Sequence, residues 1–143
     1  MEEIKIRCRG IIVHDGKLLL VKHTGGKDFY VFPGGHLDFG EDPQECMRRE
    51  LIEELGVEPN IGRLLYVYSF MTKDGVQSVE FFFNIENGLE YLTHEGKIKS
   101  HAYEIAEVVW VTPTEVRYIL HKELGIAFQN GELQNDGVRF IRG

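Results

Sequence analysis

Residues 35–57 read GHLDFGEDPQECMRRELIEELGV, and this stretch decides the fold because it predicts one helix with a strongly acidic face. At 3.6 residues per turn, Glu50, Glu53 and Glu54 fall within about 100° of arc on that helix. Like charges repel there, and each pair costs about 0.2–0.5 kcal/mol in a solvated helix. A bound Mg²⁺ or Mn²⁺ would reverse this cost, because hard cations take oxygen ligands. The alternative is an ordinary acidic, solvated helix face.

The same helix has clear start and stop signals. Residues 42–45, Asp-Pro-Gln-Glu, combine a capping acid, a proline in the first turn and an acid three residues after the cap. Gly56 can take the left-handed conformation that ends helices. Three aliphatic side chains share the face opposite the acids, namely Leu51, Ile52 and Leu55. We expect that face to pack on a core and fix the helix in place.

Residues 35–57 also contain glycines, glutamates and one arginine at a specific spacing. It runs Gly35, five residues, Glu41, seven residues, Arg49-Glu50, Leu51, one residue, Glu53-Glu54, one residue, Gly56 and Val57. This spacing resembles the Nudix box, G-x5-E-x7-R-E-U-x-E-E-x-G-U with U aliphatic, and every specified position matches. The resemblance covers roughly residues 4–120. It implies the α/β Nudix fold, an α/β/α sandwich with a mixed β-sheet.

The resemblance also implies chemistry. Members of this family use Mg²⁺ or Mn²⁺ to hydrolyse a phosphoanhydride in a nucleoside diphosphate linked to another moiety. By position, Glu50 and Glu54 are the expected metal ligands, and Glu53 is either a third ligand or the base. In relatives a carbonyl from the turn before the box joins the metal shell, so Gly34 is a candidate ligand through its main chain.

Two further catalytic candidates follow. Arg49 is expected to reach Glu45 and Glu53, one turn away on either side, and so to orient a glutamate; the alternative is a weak surface ion pair. Relatives often use another glutamate from a loop shortly before a strand that contains tryptophan. Glu104 is our first candidate for this residue, and Glu107 is the alternative.

Candidate substrate contacts lie outside the box. Apolar residues alternate with cations over residues 4–9, which predicts a half-buried strand with a cationic outer row. Arg7 and Arg9 in that row could bind phosphate or simply face solvent. His36 follows the glycine turn and could face the phosphates, although a surface side chain is the commoner outcome.

Composition bounds the remaining possibilities. The chain has 143 residues, 43% of them hydrophobic and 27% charged, which predicts one domain over residues 1–143. Residues 41–58 hold seven acids and two arginines, a net −5 of the formal −7, which argues against general nucleic-acid binding. Cys8 and Cys46 form no metal or disulfide pattern. No signal peptide or membrane-spanning segment is predicted, which favours a cytoplasmic protein without a membrane partner.

Other segments give coarser predictions. Asp15-Gly16 predicts a hairpin between residues 10–14 and 17–22, and a second hairpin is expected from residues 64–72 and 76–85. Residues 108–111 predict a short strand, and residues 112–115 carry the capping signals of a second helix. Residues 124–143 show little periodicity and are expected to form a short hairpin or a mobile tail.

The substrate is the least determined feature. A small-molecule nucleotide is expected, with a nucleoside triphosphate or modified nucleotide favoured by the small size of the chain. The alternative is a catalytically silent module of the same fold that binds a nucleotide or a protein. A homodimer is a further expectation from the resemblance, since family members often dimerise.

Overall fold

The structure is a computed structural model that describes residues 2–25, 28–94, 105–115 and 118–143, apart from the side chain of residue 106. Within these ranges the chain forms seven strands and three helices. The strands are β1 (Glu3–His14), β2 (Lys17–His23), β3 (Gly34–His36), β4 (Ile61–Met71), β5 (Val76–Ile85), β6 (Ile105–Val111) and β7 (Arg139–Arg142). The helices are α1 (Pro43–Leu55), α2 (Gly88–Thr93) and α3 (Lys122–Gln129).

The strands form one mixed sheet in the order β6-β2-β1-β5-β4-β7, and β3 pairs with β1. The pairs β1–β5 and β4–β7 are parallel, whereas the other pairs are antiparallel. Both predicted hairpins are confirmed. The first turns at Asp15 and Gly16, whose φ angles of 51° and 74° match the left-handed pair that a two-residue hairpin requires.

Helices cover both faces of this sheet. One apolar cluster contains Met47 and Leu51 of α1 together with Tyr91 of α2. The cluster on the other face contains Leu124 and Phe128 of α3. The predicted α/β/α sandwich is therefore confirmed, because each helix buries one apolar face against the sheet.

Helix α1 begins and ends where the sequence predicts. The Asp42 side chain accepts a hydrogen bond from Glu45 N–H at 2.9 Å, and the Glu45 carboxylate accepts one from Asp42 N–H at 3.2 Å. This reciprocal cap satisfies two amides that the first turn leaves unpaired. At the other end Gly56 has φ 75°, and its N–H donates to the Ile52 carbonyl. The helix is thus fixed at both ends, which matters because its acidic face belongs to the site.

Two predictions about the second half of the chain are wrong. Residues 112–115 form a turn in which the Thr112 N–H donates to the Glu115 side chain, as in a helix cap, but no helix occupies these positions. The segment 124–143 is neither a hairpin nor a mobile tail, since it contains most of α3 and all of β7. Strand β7 has only four residues and forms through parallel pairing with β4, a tertiary contact that local periodicity does not encode.

Candidate active site

A cavity of about 1030 Å³ is lined by the acidic face of α1 and by residues from the N-terminal half of β1. Its volume suits a nucleotide-sized ligand. The cavity brings together eight residues that the sequence singled out: Arg7, Arg9, Gly34, His36, Arg49, Glu50, Glu53 and Glu54. Anionic groups from the helix and cationic groups from the strand therefore line one space.

Two glycines in β3 allow this arrangement. A Cβ atom on Gly35 would lie 2.5 Å from the Glu50 carboxyl carbon. Gly34 has φ 149°, and a Cβ there would collide with the backbone carbonyl of Cys8. A larger residue at Gly34 would meet the backbone of the neighbouring strand, whereas one at Gly35 would displace the Glu50 side chain of the helix. Strand β3 thus places bare backbone beside the glutamates in the cavity wall.

The three glutamates differ in burial. Glu54 is only 2% exposed, and its Oε1 accepts a hydrogen bond from the Gly34 N–H at 2.7 Å. The side chains of Glu50 and Glu53 are 15% and 29% exposed. Burying a carboxylate is costly unless charge or hydrogen bonds compensate it, and Glu54 is the most buried of the three glutamates.

Arg49 ties the acidic residues together. Its Nε donates to Glu41 at 2.7 Å, and its Nη1 donates to Glu50 at 2.9 Å and to Glu53 at 3.2 Å. The hydrogen bond to Glu41 raises the pKa of Arg49 and lowers the pKa of Glu41, so both stay charged. The predicted contact with Glu53 is confirmed. The predicted contact with Glu45 is wrong, because the Glu45 side chain is engaged in the helix cap.

The donor chemistry of this face fits a hard divalent cation. Glu50 and Glu54 offer carboxylate oxygens beside the backbone of Gly34 and Gly35, and Gly35 is the position where a side chain would displace a carboxylate. In the part of the chain that the structure describes, no three His, Cys, Asp or Glu side chains are already gathered at coordination distance. Mg²⁺ tolerates such a site because it retains several waters and takes substrate phosphates as ligands.

The alternative in which Arg9 simply faces solvent is wrong. Arg9 is 6% exposed, and its Nε donates to Glu80 of β5 at 2.5 Å. Its Nη1 donates to the Phe32 carbonyl at 2.9 Å. Arg7 differs, because its side chain remains 22% exposed at the cavity wall. Burial lowers the pKa of Arg7 first, and neighbouring Arg9 lowers it further.

His36 lies across from Arg7 in the β1–β3 pairing, and its side chain lines the cavity. Burial lowers its pKa, and the positive charges of Arg7, Lys5 and Arg9 lower it further. We therefore expect a neutral imidazole near pH 7, which can donate one hydrogen bond to a phosphate without adding charge.

The predicted later glutamates fall elsewhere. Glu104 lies outside the described residues. Glu107 lies on β6, where it accepts a hydrogen bond from the Tyr30 hydroxyl at 2.7 Å and is exposed. Among the aromatic residues of the second hairpin, Phe70 lines the cavity, whereas Tyr66 and Phe83 are buried in the core.

Sequence reasoning missed Glu80, which lines the cavity, and the buried Ser78 and His121 that contact it. The signal available was Ser78 and Glu80, two polar residues of one strand parity directly before the apolar residues 81–83. A buried charge in such a run requires partners from other elements. Those partners are 41 and 71 residues away along the chain, so the sequence did not identify them.

Together these features define an α/β/α domain in which a capped acidic helix faces a cationic sheet across a nucleotide-sized cavity. The NUDIX domain family model matches residues 5–130, and the chain belongs to this family. No helix in the described ranges has both the length and the apolar content needed to cross a bilayer.

Curated relatives and solved structures agree with this assignment. An ADP-ribose pyrophosphatase of Methanocaldococcus jannaschii is 37% identical over 84 residues, or 55% of this chain and 50% of that protein. A MutT-like protein of Streptomyces ambofaciens is 30% identical over 112 residues, or 78% of this chain and 66% of that protein. The chain therefore spans about half to two thirds of the length of these relatives.

Among solved structures, the MutT NUDIX hydrolase from Burkholderia pseudomallei superposes with a TM-score of 0.72. The superposition covers 90% of this chain and 98% of that chain at 22% identity. At 22% identity this likeness shows only that the two proteins share a fold.

Proposed function

We propose that this protein is a divalent-cation-dependent pyrophosphohydrolase that cleaves a phosphoanhydride in a nucleoside diphosphate linked to another moiety. One observation carries the proposal: three box carboxylates, those of Glu50, Glu53 and Glu54, line the same cavity as Arg7 and His36. The acidic wall can hold a cation while the opposite wall binds phosphate oxygens. One domain, formed by the whole chain, supplies both walls.

Glu50, Glu54 and the main chain of Gly34 are the proposed cation ligands. Mg²⁺ or Mn²⁺ bound there would neutralise phosphate charge and activate water for attack on phosphorus. The protein positions these ligands through the Gly34 N–H, which holds Glu54, and through Arg49, which holds Glu50. These contacts fix the positions of both carboxylates before substrate binds.

Glu53 is the proposed base, with a third ligand role as the alternative. It shares Arg49 with Glu50, so its carboxylate is oriented without being buried. An accessible carboxylate can take a proton from the attacking water and release it to solvent. Glu104 remains a proposed catalytic residue, and Glu107 is its alternative.

The proposed substrate is a nucleoside triphosphate or a modified nucleotide. Arg7, Arg9 and His36 form the wall that would receive its phosphates, and Phe70 offers an aromatic surface in the same cavity. The relatives include proteins named as an ADP-ribose pyrophosphatase and an 8-oxo-dGTP diphosphatase, so both substrate classes belong in the first assay.

The test is a panel of dNTPs, oxidised dNTPs, nucleotide sugars, ADP-ribose and dinucleoside polyphosphates, assayed with and without Mg²⁺ or Mn²⁺. We expect cation-dependent release of a nucleoside monophosphate from at least one compound. Glu54→Gln should lower turnover by about two orders of magnitude or more, because it removes a charged ligand but keeps the acceptor for the Gly34 N–H. Glu58→Gln is the matched control, since Glu58 is exposed and pairs with Arg48 at the surface.

Cleavage of no panel compound, or full activity in Glu54→Gln, would contradict the proposal. Nucleotide binding without turnover would favour the second candidate, a catalytically silent binding module. The sequence keeps every box glutamate, and three of them line the cavity, which favours the enzyme over that module.

A homodimer is also proposed. Ile4, Met71 and Phe140 are 68%, 66% and 79% exposed, and the strand pairing places them on one face of the sheet. The expectation that Ile4 is buried is thus wrong within this single chain, and a second copy would cover it. Light scattering with size-exclusion chromatography should give twice the 16.5 kDa chain mass.

The two free, buried cysteines support a cytoplasmic location, which fractionation of cells would test.

A further inference from the structure

Glu80 lies at the floor of the cavity and joins two strands and one helix. Its Oε1 accepts a hydrogen bond from Arg9 Nε at 2.5 Å and lies 2.7 Å from His121 Nε2. Its Oε2 accepts a hydrogen bond from Ser78 Oγ at 2.7 Å and lies 3.6 Å from Arg7 Nη1. Arg7 Nη1 in turn donates to Ser78 Oγ at 2.7 Å. We call these five residues the Glu80 cluster.

The contacts within the Glu80 cluster favour an ionised carboxylate at Glu80 and a neutral imidazole at His121. Burial alone would raise the pKa of Glu80, but the charge of Arg9 and the hydrogen bond with His121 outweigh it and hold the pKa well below its usual range. Burial lowers the pKa of His121, so we expect a neutral ring that donates its Nε2–H to the ionised carboxylate. Two guanidinium groups then share one carboxylate, which leaves one net positive charge in the cluster.

That excess charge is located at Arg7. Arg9 is almost fully buried and already donates to Glu80 and to the Phe32 carbonyl. Arg7 uses only Nη1 within the described residues, and no described residue accepts from its Nε or Nη2. These remaining donors belong to a side chain that lines the same cavity as Glu50 and Glu54.

We propose that Glu80 and Ser78 are positioning residues that hold the Arg7 guanidinium so that its remaining donors bind a phosphate of the substrate. This inference rests on the proposed function, since it assumes that the cavity receives a phosphorylated ligand. Neither Glu80 nor Ser78 touches that ligand. Glu80 acts by pairing both arginines, which would otherwise repel each other at adjacent positions of one strand face, and Ser78 fixes one nitrogen of Arg7.

Replacing Glu80 by glutamine distinguishes two explanations of how the cavity wall binds anions. If the cavity wall binds anions by net charge alone, Glu80→Gln removes a negative charge and should tighten binding of a polyphosphate. If Glu80 positions Arg7, the same variant should weaken binding despite the gain in positive charge. The two explanations therefore predict changes of opposite sign.

The experiment measures the affinity of the purified full chain for inorganic tripolyphosphate by calorimetry at low salt with a chelator present. Arg7→Gln should weaken binding by about tenfold or more, as expected for loss of a charge-assisted contact. Ser78→Ala and Glu80→Gln should each weaken it by about threefold to tenfold. Combining either change with Arg7→Gln should add nothing, because both act through Arg7.

Ser69→Ala is the matched control, since Ser69 lies on neighbouring β4 on the opposite sheet face, and it should bind like the wild type. Ser78→Ala keeps the inference testable if loss of the buried Glu80 charge prevents folding. Wild-type affinity in Ser78→Ala, tighter binding by folded Glu80→Gln, additive effects in the double variants, or no tripolyphosphate binding by the wild type would each overturn it.

Because tripolyphosphate binding is measured without cation and without turnover, it tests the roles of Glu80 and Ser78 whether or not the protein is a hydrolase. Loss of binding in Ser78→Ala together with an inactive substrate panel would support the inference and refute the hydrolase. Turnover by the wild type with an unchanged KM in Ser78→Ala would support the hydrolase and refute the inference. With an identified substrate, we expect KM to rise in Ser78→Ala while kcat changes little.

Discussion

Gly35→Ala should separate the stability of this protein from its activity. The new Cβ would lie 2.5 Å from the Glu50 carboxyl carbon, whereas ordinary contact begins at 3.4 Å. The atoms that must move belong to the end of a flexible side chain, and Gly35 has no positive φ. We therefore expect the free energy of unfolding to change by less than about 1 kcal/mol.

The effect on activity should be much larger. Restoring ordinary contact moves the Glu50 carboxyl group by about 0.9 Å, and a displacement of about 1 Å at a catalytic group can cost on the order of 10²-fold in rate. Arg49 would resist the movement, because it holds Glu50 at 2.9 Å. We expect kcat to fall by about tenfold to a hundredfold and the affinity for Mn²⁺ to weaken in parallel.

The assay combines urea denaturation, calorimetric Mn²⁺ titration and turnover of the substrate found in the panel. Gly131→Ala is the control: Gly131 has φ 74° and open space around it, so alanine there should cost about 1 kcal/mol of strain and leave turnover unchanged. A Gly35→Ala variant with wild-type turnover would refute our reasoning about Glu50. A variant that fails to fold would refute the claim that the collision is relieved by one side chain.

Three further predictions test neighbouring features. Arg49→Lys should lower kcat by about tenfold or more with little change in melting temperature, because a single ammonium group cannot bridge Glu41, Glu50 and Glu53 at once; equal kcat would contradict this. Asp42→Ala should lower the free energy of unfolding by about 1 kcal/mol in urea titrations, as expected for loss of a helix cap, and no loss would show that the cap is dispensable. Acidification should destabilise the protein through His121, because burial lowers the pKa of this histidine in the folded state. Below about pH 6.5 the unfolded chain therefore binds a proton at this residue before the folded chain does. The free energy of unfolding should then fall by up to about 1.4 kcal/mol per pH unit. His121→Gln should flatten that slope between pH 7 and 5.5, and an unchanged slope would assign it to other groups.

Helix α1 shows how far local sequence can determine structure. Its cap at Asp42, its end at Gly56 and the common face of its glutamates depend on neighbours within four residues, and the structure confirms all three. The first hairpin is similar, because Asp15-Gly16 selects its turn. By contrast, β7 could not be predicted, since four residues carry too little periodicity and depend on pairing with β4.

Arg7 and Arg9 illustrate the limit more sharply. Their alternation predicted two equivalent cations on one strand face, but the structure buries Arg9 and leaves Arg7 partly open. The difference arises because β1 pairs in parallel with β5, a strand that follows about 70 residues later and brings Glu80 beside both. Alternation specifies the face of a strand, whereas burial depends on what packs over that face.

The sequence by itself determined the family, the capped helix and the three glutamates on its acidic face, because these features depend on residues close together along the chain. Only the tertiary structure decided which cations oppose those carboxylates and how they are held. Ser78, Glu80 and His121 meet Arg7 and Arg9 through a parallel strand pair and a helix from distant parts of the chain. Charges that compensate one another in a buried site need only be close in space, and no local spacing rule reveals that proximity.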